Sequence, residues 1–207
     1  MRIGNSAMKN RRPAANADLT AKARIRDAAL ELYATKGEPN TTVREVAQAA
    51  GVTHGLVVHH FVNKEGLHKA VQQHVVDLLR QALCAVPTDG TPGEIGKARD
   101  ASVARMYSEH PSYLRYLRRE LLDPATVDHK LLDVLAEFTL AQVRDLRAAG
   151  VAPVDTPEPI QVFAVLMREL APRLLEPLMQ RLWRHLAGKS AGASPEVEIR
   201  IKRSKRG

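Results

Sequence analysis

Cysteine occurs once in the 207 residues, at Cys84, so the chain can form no internal disulfide and no multi-cysteine metal or redox site. A lone cysteine of this kind is expected to be a buried small apolar residue. Aromatic residues make up only 4% of the chain. With Ala and Leu abundant in their place, the composition favours helix over strand, because Ala, Leu, Arg and Glu lose least on entering a helix. No apolar run approaches the roughly 20 residues needed to cross a bilayer. Met1 to Ala17 lacks the apolar core of a secretory signal. A Gly-rich phosphate loop, a G-x-S-x-G nucleophile motif and a helical His pair with Glu at zinc spacing are all missing. His59 and His60 are adjacent and point about 100° apart on a helix, a poor arrangement for one metal. The expectation is an all-α, cytoplasmic protein that is not an enzyme and needs no cofactor or metal.

What is present is positive charge, unevenly placed. Residues 1–70 carry 11 Lys/Arg against 6 Asp/Glu, residues 71–187 carry 14 against 15, and residues 188–207 carry 6 against 2. The body is neutral and the two ends are basic. A basic segment beside a neutral one points to a polyanionic partner. For the last 20 residues a solubilising tail is the plainer reading.

Residues 1–17, with Pro13 and the Arg11–Arg12 pair, read as a flexible basic arm. Asp18 or Thr20 opens a helix whose stripe is Ile25, Ala28, Ala29, Leu32 and Tyr33, and Gly37 stops it. Thr42 with Glu45 three residues on makes a capping box for a short helix that ends at Gly51. Thr53 caps a second short helix running to Phe61. Asn63 opens a longer one with Leu67, Val71, Val75, Leu78, Leu79 and Leu83 on its stripe. Further helices are expected after Thr91–Pro92, from Ser112 to Leu122, and from Pro124 to Gly150. Residues 160–186 are strongly apolar, and Pro172 and Pro177 should break or kink that run. The domain scheme is an arm (1–17), a first helical domain (18–66), a larger helical domain (67–187) and a basic disordered tail (188–207).

Two short helices joined at Gly51 form a helix-turn-helix candidate. Gly tolerates the positive φ such a turn needs, and Ala47 is small enough to let the helices approach. The second helix would lie in the major groove with its N-terminal residues at base edges. The segment from Thr41 to Leu67, TTVREVAQAAGVTHGLVVHHFVNKEGL, together with the preceding IRDAALELYATKG from Ile25 to Gly37, resembles the DNA-binding domain of TetR-type transcriptional regulators.

That resemblance implies an all-helical homodimer, with three N-terminal helices on DNA and a fourth leading to a ligand-binding domain. It implies a repressor on a palindromic operator, released when a small molecule shifts the spacing of the two reading heads. Thr42 and Arg44 would meet phosphate. Thr53, His54, Gly55 and Leu56 would open the recognition helix, with His54 at a base edge, Gly55 allowing close approach and Leu56 against a thymine methyl. His59 and His60 match positions that touch backbone or base, and Lys64 would add a phosphate contact. Val46, Ala47, Val57 and Phe61 match core positions. Val58 stands where the family often has a phosphate-binding Tyr, so either one phosphate contact is missing or the Arg11–Arg12 arm compensates for it.

In the larger domain Met106, Tyr107, His110, Tyr113, Tyr116, Phe138, Phe163 and Met167 form a candidate set for an effector pocket, apolar with a few polar groups. The set equally suits an ordinary core. The cluster Arg115, Arg118 and Arg119 reads as a solvated helix face. The apolar width of residues 160–186 exceeds one buried stripe, so a homodimer interface is expected there. Two rival readings are a helical interaction protein whose basic ends bind acidic partners, and a non-specific DNA-binding protein without an effector.

Overall fold

A computed structural model describes residues 12–123 and 130–188, positions 192, 193, 195, 197, 199 and 201 beyond them, and only the backbone of residues 12–19. Residues 1–11 of the expected arm, Arg11 included, and most of the expected tail lie outside the described residues. Among the described residues the chain is all-α, with helices α1 (Arg12–Lys36), α2 (Val43–Ala49), α3 (His54–Phe61), α4 (Lys64–Cys84), α5 (Pro92–Glu109), α6 (Pro111–Leu122), α7 (Lys130–Ala148) and α8 (Glu158–Ala187). None of these helices is long and apolar enough to cross a membrane. The chain divides into two compact units between Gln73 and His74, inside α4 rather than at residue 66.

In the first unit α1 begins earlier than Asp18 or Thr20, so residues 12–17 are helical rather than part of an arm. Pro13 suits a first helical turn, and Ala14, Ala15 and Ala17 extend it at little entropic cost. Ile25, Ala29 and Tyr33 from α1 meet Val46 and Ala47 from α2, Val57 and Phe61 from α3, and Leu67 and Val71 from α4 in one buried core. At the end of α1, Gly37 adopts a positive φ of 86°. Asn40 then donates Nδ2–H to the Lys36 carbonyl at 3.1 Å, and buried Thr41 donates its hydroxyl to the Gly37 carbonyl at 2.8 Å. These two side chains satisfy carbonyls that a helix end leaves open.

In the second unit the core is built on Tyr113, Tyr116 and Leu117 of α6 with Leu131 and Leu135 of α7, all buried. The helices are also tied by polar side chains. Ser102 of α5 donates to the Ala82 carbonyl at 2.6 Å, and Arg147 of α7 donates to Gln161 at 2.7 Å and to the Thr156 carbonyl.

Of the break or kink expected at Pro172 and Pro177, the break does not occur, because α8 runs through both prolines. A proline at 177 removes the N–H that would bond the Arg173 carbonyl four residues back. Arg118 of α6 replaces that donor, giving the Arg173 carbonyl two bonds, from Nε at 3.0 Å and Nη2 at 2.7 Å. Its Nη2 also pairs with Glu176 at 2.7 Å. Arg118, expected on a solvated face, thus joins α6 to α8. Cys84 is the last residue of α4 and is exposed, not buried as expected. At the frayed end of an amphipathic helix a small side chain has nothing obliging it to turn inward.

Candidate nucleic-acid interface and ligand cavity

The two short helices are fixed by devices only a few residues long. Thr42 caps α2: its Oγ1 accepts the Glu45 N–H at 3.2 Å, and Glu45 Oε2 accepts the Thr42 N–H at 2.8 Å. Lys36, in the last turn of α1, reaches the other Glu45 oxygen at 2.7 Å. The Lys36 bond, with the two from Thr42, holds the Glu45 carboxyl well below its usual 4.5, at about 2. Gly51 ends α2 at φ 63°. Its N–H bonds the Gln48 carbonyl at 3.1 Å while the Val52 N–H bonds the Ala47 carbonyl at 3.0 Å. This is a Schellman motif, in which the left-handed residue lets two orphan carbonyls be satisfied at once. Thr53 then caps α3 by accepting the Leu56 N–H at 3.3 Å.

α3 buries Val57 and Phe61 and turns His54, Gly55, Val58 and His59 outward. The outward residues are spaced by one helical turn and so share a face. Arg44 of α2 is exposed beside its exposed cap Thr42. Leu56 and His60 are half-buried. The His60 ring lies edge-on to His59 at 5.4 Å and to Phe61 at 6.1 Å, so packing takes part of this side chain. Among the described residues no group of His, Cys, Asp and Glu is placed to hold a metal.

Lys64 is placed differently from a free phosphate ligand. Its Nζ pairs with Glu38 at 3.2 Å and donates to the Pro39 carbonyl at 3.3 Å. It therefore fastens the start of α4 to the α1–α2 loop. Glu38 and Lys64 are 26 residues apart, which is why spacing alone did not reveal the pair.

The junction after α3 is tighter than the sequence suggested. Val62 sits at φ 68°, ψ −55°, and the Asn63 N–H bonds the Phe61 carbonyl at 2.7 Å. This is a γ-turn with positive φ, a strained conformation for a β-branched residue. Asn63 Oδ1 accepts the Gly66 N–H at 2.8 Å and caps α4. A Cβ on Gly66 would lie 2.1 Å from the Phe61 carbonyl oxygen, so only glycine fits. α3 is thereby locked to the start of α4.

The second unit contains a cavity of about 320 Å³. Tyr107, Tyr113 and Phe138 of the expected set line it, with Leu135, Val143, Leu166 and other apolar side chains. Met106 and Tyr116 do not line it, being buried in the packed core. His110 and Phe163 are exposed, and Met167 lies off the cavity wall. Helical spacing places four of these on their helices and His110 between α5 and α6, but does not say which neighbour each faces. Sequence reasoning missed the polar wall residues Arg99, Asp100, Gln142, Arg168 and Glu169. Tyr107 packs edge-on against Tyr113 at 5.3 Å and under the Arg173 guanidinium at 4.8 Å. Burial pushes the Tyr107 hydroxyl up to about 12, against the opposing pull of Arg173.

On α8 the side chains of Leu175, Leu178, Leu182 and Leu186 are exposed, whereas Val162 and Leu170 are buried. The four leucines fall at spacings of three and four residues and form one stripe.

A short capped helix, a Schellman turn and a second capped helix with an open polar face define a helix-turn-helix protein. Residues 25–71 match the family model described as "Bacterial regulatory proteins, tetR family". Over this N-terminal domain the chain is similar to the tetR family of bacterial regulatory proteins. It is 44% identical over 77 residues to the HTH-type transcriptional regulatory protein RaaS of Mycobacterium tuberculosis, a match covering 37% of this chain and 36% of that one. The match thus spans about a third of that curated relative. Among solved structures, a transcriptional regulator from Rhodococcus sp. Rha1 superposes with a TM-score of 0.61 at 22% identity, covering 78% of this chain and 86% of that chain. The TetR family protein CprB from S. coelicolor A3(2) does so with a TM-score of 0.51 at 22% identity, covering 81% and 88%. These likenesses extend the shared fold through the second unit.

Proposed function

We propose that the chain is a ligand-responsive transcriptional repressor that binds a palindromic operator as a homodimer and is released by a small-molecule effector. The observation that carries this reading is the open face of α3, where His54, Gly55, Val58 and His59 are exposed on a helix held rigidly at both ends. His54 and His59 read base edges, Thr53 and Leu56 flank them, and Gly55 admits the DNA backbone, since a Cβ there would meet nothing in the protein itself. Thr42, Arg44 and His60 border the phosphates. Lys64 positions α4 and contributes to phosphate binding only in exchange for Glu38. Val58 offers no hydrogen bond. The Arg11–Arg12 compensation rests on residues outside the described side chains, and deleting residues 1–16 tests it.

The leucine stripe on α8 supports dimerisation, because four exposed leucines on one helix face are costly to leave in water. A dimer places two α3 helices about one DNA turn apart, which calls for a palindrome. The cavity supports an effector site, and release requires tighter binding to the state that mismatches the operator, with a coupling of about 1–3 kcal/mol.

Fluorescence anisotropy on the DNA flanking its own gene, at two salt concentrations with random duplex as control, tests the reading. Tight binding that survives competitor DNA is expected. Equal, salt-sensitive binding to both duplexes would reduce it to a non-specific basic surface.

A further inference from the structure

The cavity of the second unit has a mostly apolar wall that also carries two arginines and two acids. Arg99 of α5 is half-buried on that wall, and its Nη2 donates to Gln142 Oε1 of α7 at 2.8 Å. Among the described residues no carboxylate lies within ion-pair distance of Arg99. The two acids on the same wall already have guanidinium partners. Asp100 meets Arg168 at 3.4 Å, and Glu169 meets Arg173 at 3.0 Å and Arg168 at 3.4 Å. Arg99 is therefore the arginine of this wall left without a carboxylate at ion-pair distance. Burial lowers its pKa from the ordinary value, the mark of a guanidinium that has lost water and gained little in return. Independently, Tyr113 is fully buried on this wall, and its hydroxyl has no hydrogen-bond partner. An orphaned buried hydroxyl is uncommon, and here it belongs to a residue of the cavity lining.

We propose that this cavity binds an apolar monocarboxylate, with the carboxylate on Arg99 beside Gln142 and the hydrocarbon body against Leu135, Phe138, Val143 and Leu166. A guanidinium recognises a carboxylate through paired, charge-assisted bonds, and the apolar wall adds affinity by burying hydrocarbon. A cationic ligand is disfavoured because Asp100 and Glu169 are already neutralised by arginines. As an effector site this rests on the regulator reading above, whereas binding itself is independent of DNA.

The test is isothermal titration calorimetry on the full chain with three probes of one length: decanoate, decan-1-ol and decan-1-amine. Decanoate is expected to bind about tenfold or more tighter than the alcohol, with the amine weakest. Arg99→Gln is expected to abolish the preference for the acid while leaving the urea midpoint of the chain near that of the wild type. Arg99→Lys is expected to restore part of the preference. If the alcohol or amine binds as tightly as decanoate, if no probe binds, or if Arg99→Gln keeps the preference, the assignment is wrong. Anisotropy on operator DNA separates the two readings. DNA binding without decanoate binding overturns this site alone, and decanoate binding without specific DNA binding overturns the regulator reading alone.

Discussion

The two units are fastened over different distances along the chain. In the first, the bonds that shape α2 and α3 link residues three to five apart: Thr42 with Glu45, Ala47 with Val52, Thr53 with Leu56 and Asn63 with Gly66. In the second, the side chains that tie helices together are far apart in sequence: Arg99 to Gln142 across 43 residues, Arg118 to Arg173 across 55 and Arg168 to Asp100 across 68. Local bonds form with little loop-closure cost and fix the two short helices within a few residues of each other. Long-range bonds exist only once the whole unit has packed, so a cavity among them can respond when a ligand changes that packing.

The comparison can be broken at several points. The largest effect is expected from Gly66→Ala, which forces a Cβ into the Phe61 carbonyl at 2.1 Å. It should destabilise the chain by about 3 kcal/mol in urea unfolding and misplace α3, with loss of specific DNA binding. Arg118→Ala removes both donors from the Arg173 carbonyl and should cost about 2 kcal/mol, seen as an earlier unfolding midpoint, with DNA binding less affected at temperatures where the chain stays folded. Leu178→Glu together with Leu182→Glu should turn a dimer into a monomer in analytical ultracentrifugation. Thr53→Ala should cost about 1 kcal/mol through the lost cap.

The smallest effect concerns acid. Glu45 is depressed in the folded state to about 2 from an ordinary 4.5. Its contribution is therefore complete above about pH 4.5 and is lost as pH falls toward 2. Glu45→Gln should flatten the acid limb of the stability profile within that window, and an unchanged limb would show that the Lys36–Glu45–Thr42 cluster is too exposed to matter.

The same contrast in distance decides what could be read from the residues. The caps at Thr42 and Thr53, the Gly51 turn and the core positions Val46, Ala47, Val57 and Phe61 are local patterns, and all were legible. Lys64 was legible as a basic residue near α3, but its partners Glu38 and Pro39 lie a helix–turn–helix away, so its anchoring role was not. Pro172 and Pro177 spoke for a broken helix, and the donor that rescues the carbonyl freed by Pro177 comes from Arg118, some 55 residues upstream. Of the cavity, Tyr107, Tyr113 and Phe138 belonged to the apolar set with a few polar groups that was expected to line a pocket. Arg99 and Gln142 were missed because each, taken alone, is an ordinary polar residue on an amphipathic helix.

The central claim is that the outward face of α2 and α3 is a DNA interface, with phosphate contacts on α2 and base contacts on α3. It is tested most directly by comparing Arg44→Ala and His54→Ala on operator and random duplex across a salt series. Arg44→Ala is expected to weaken both duplexes alike and to lower the salt slope by about one, while His54→Ala should weaken the operator only. If both variants bind operator and random DNA as the wild type does, this face is not the interface and the account fails.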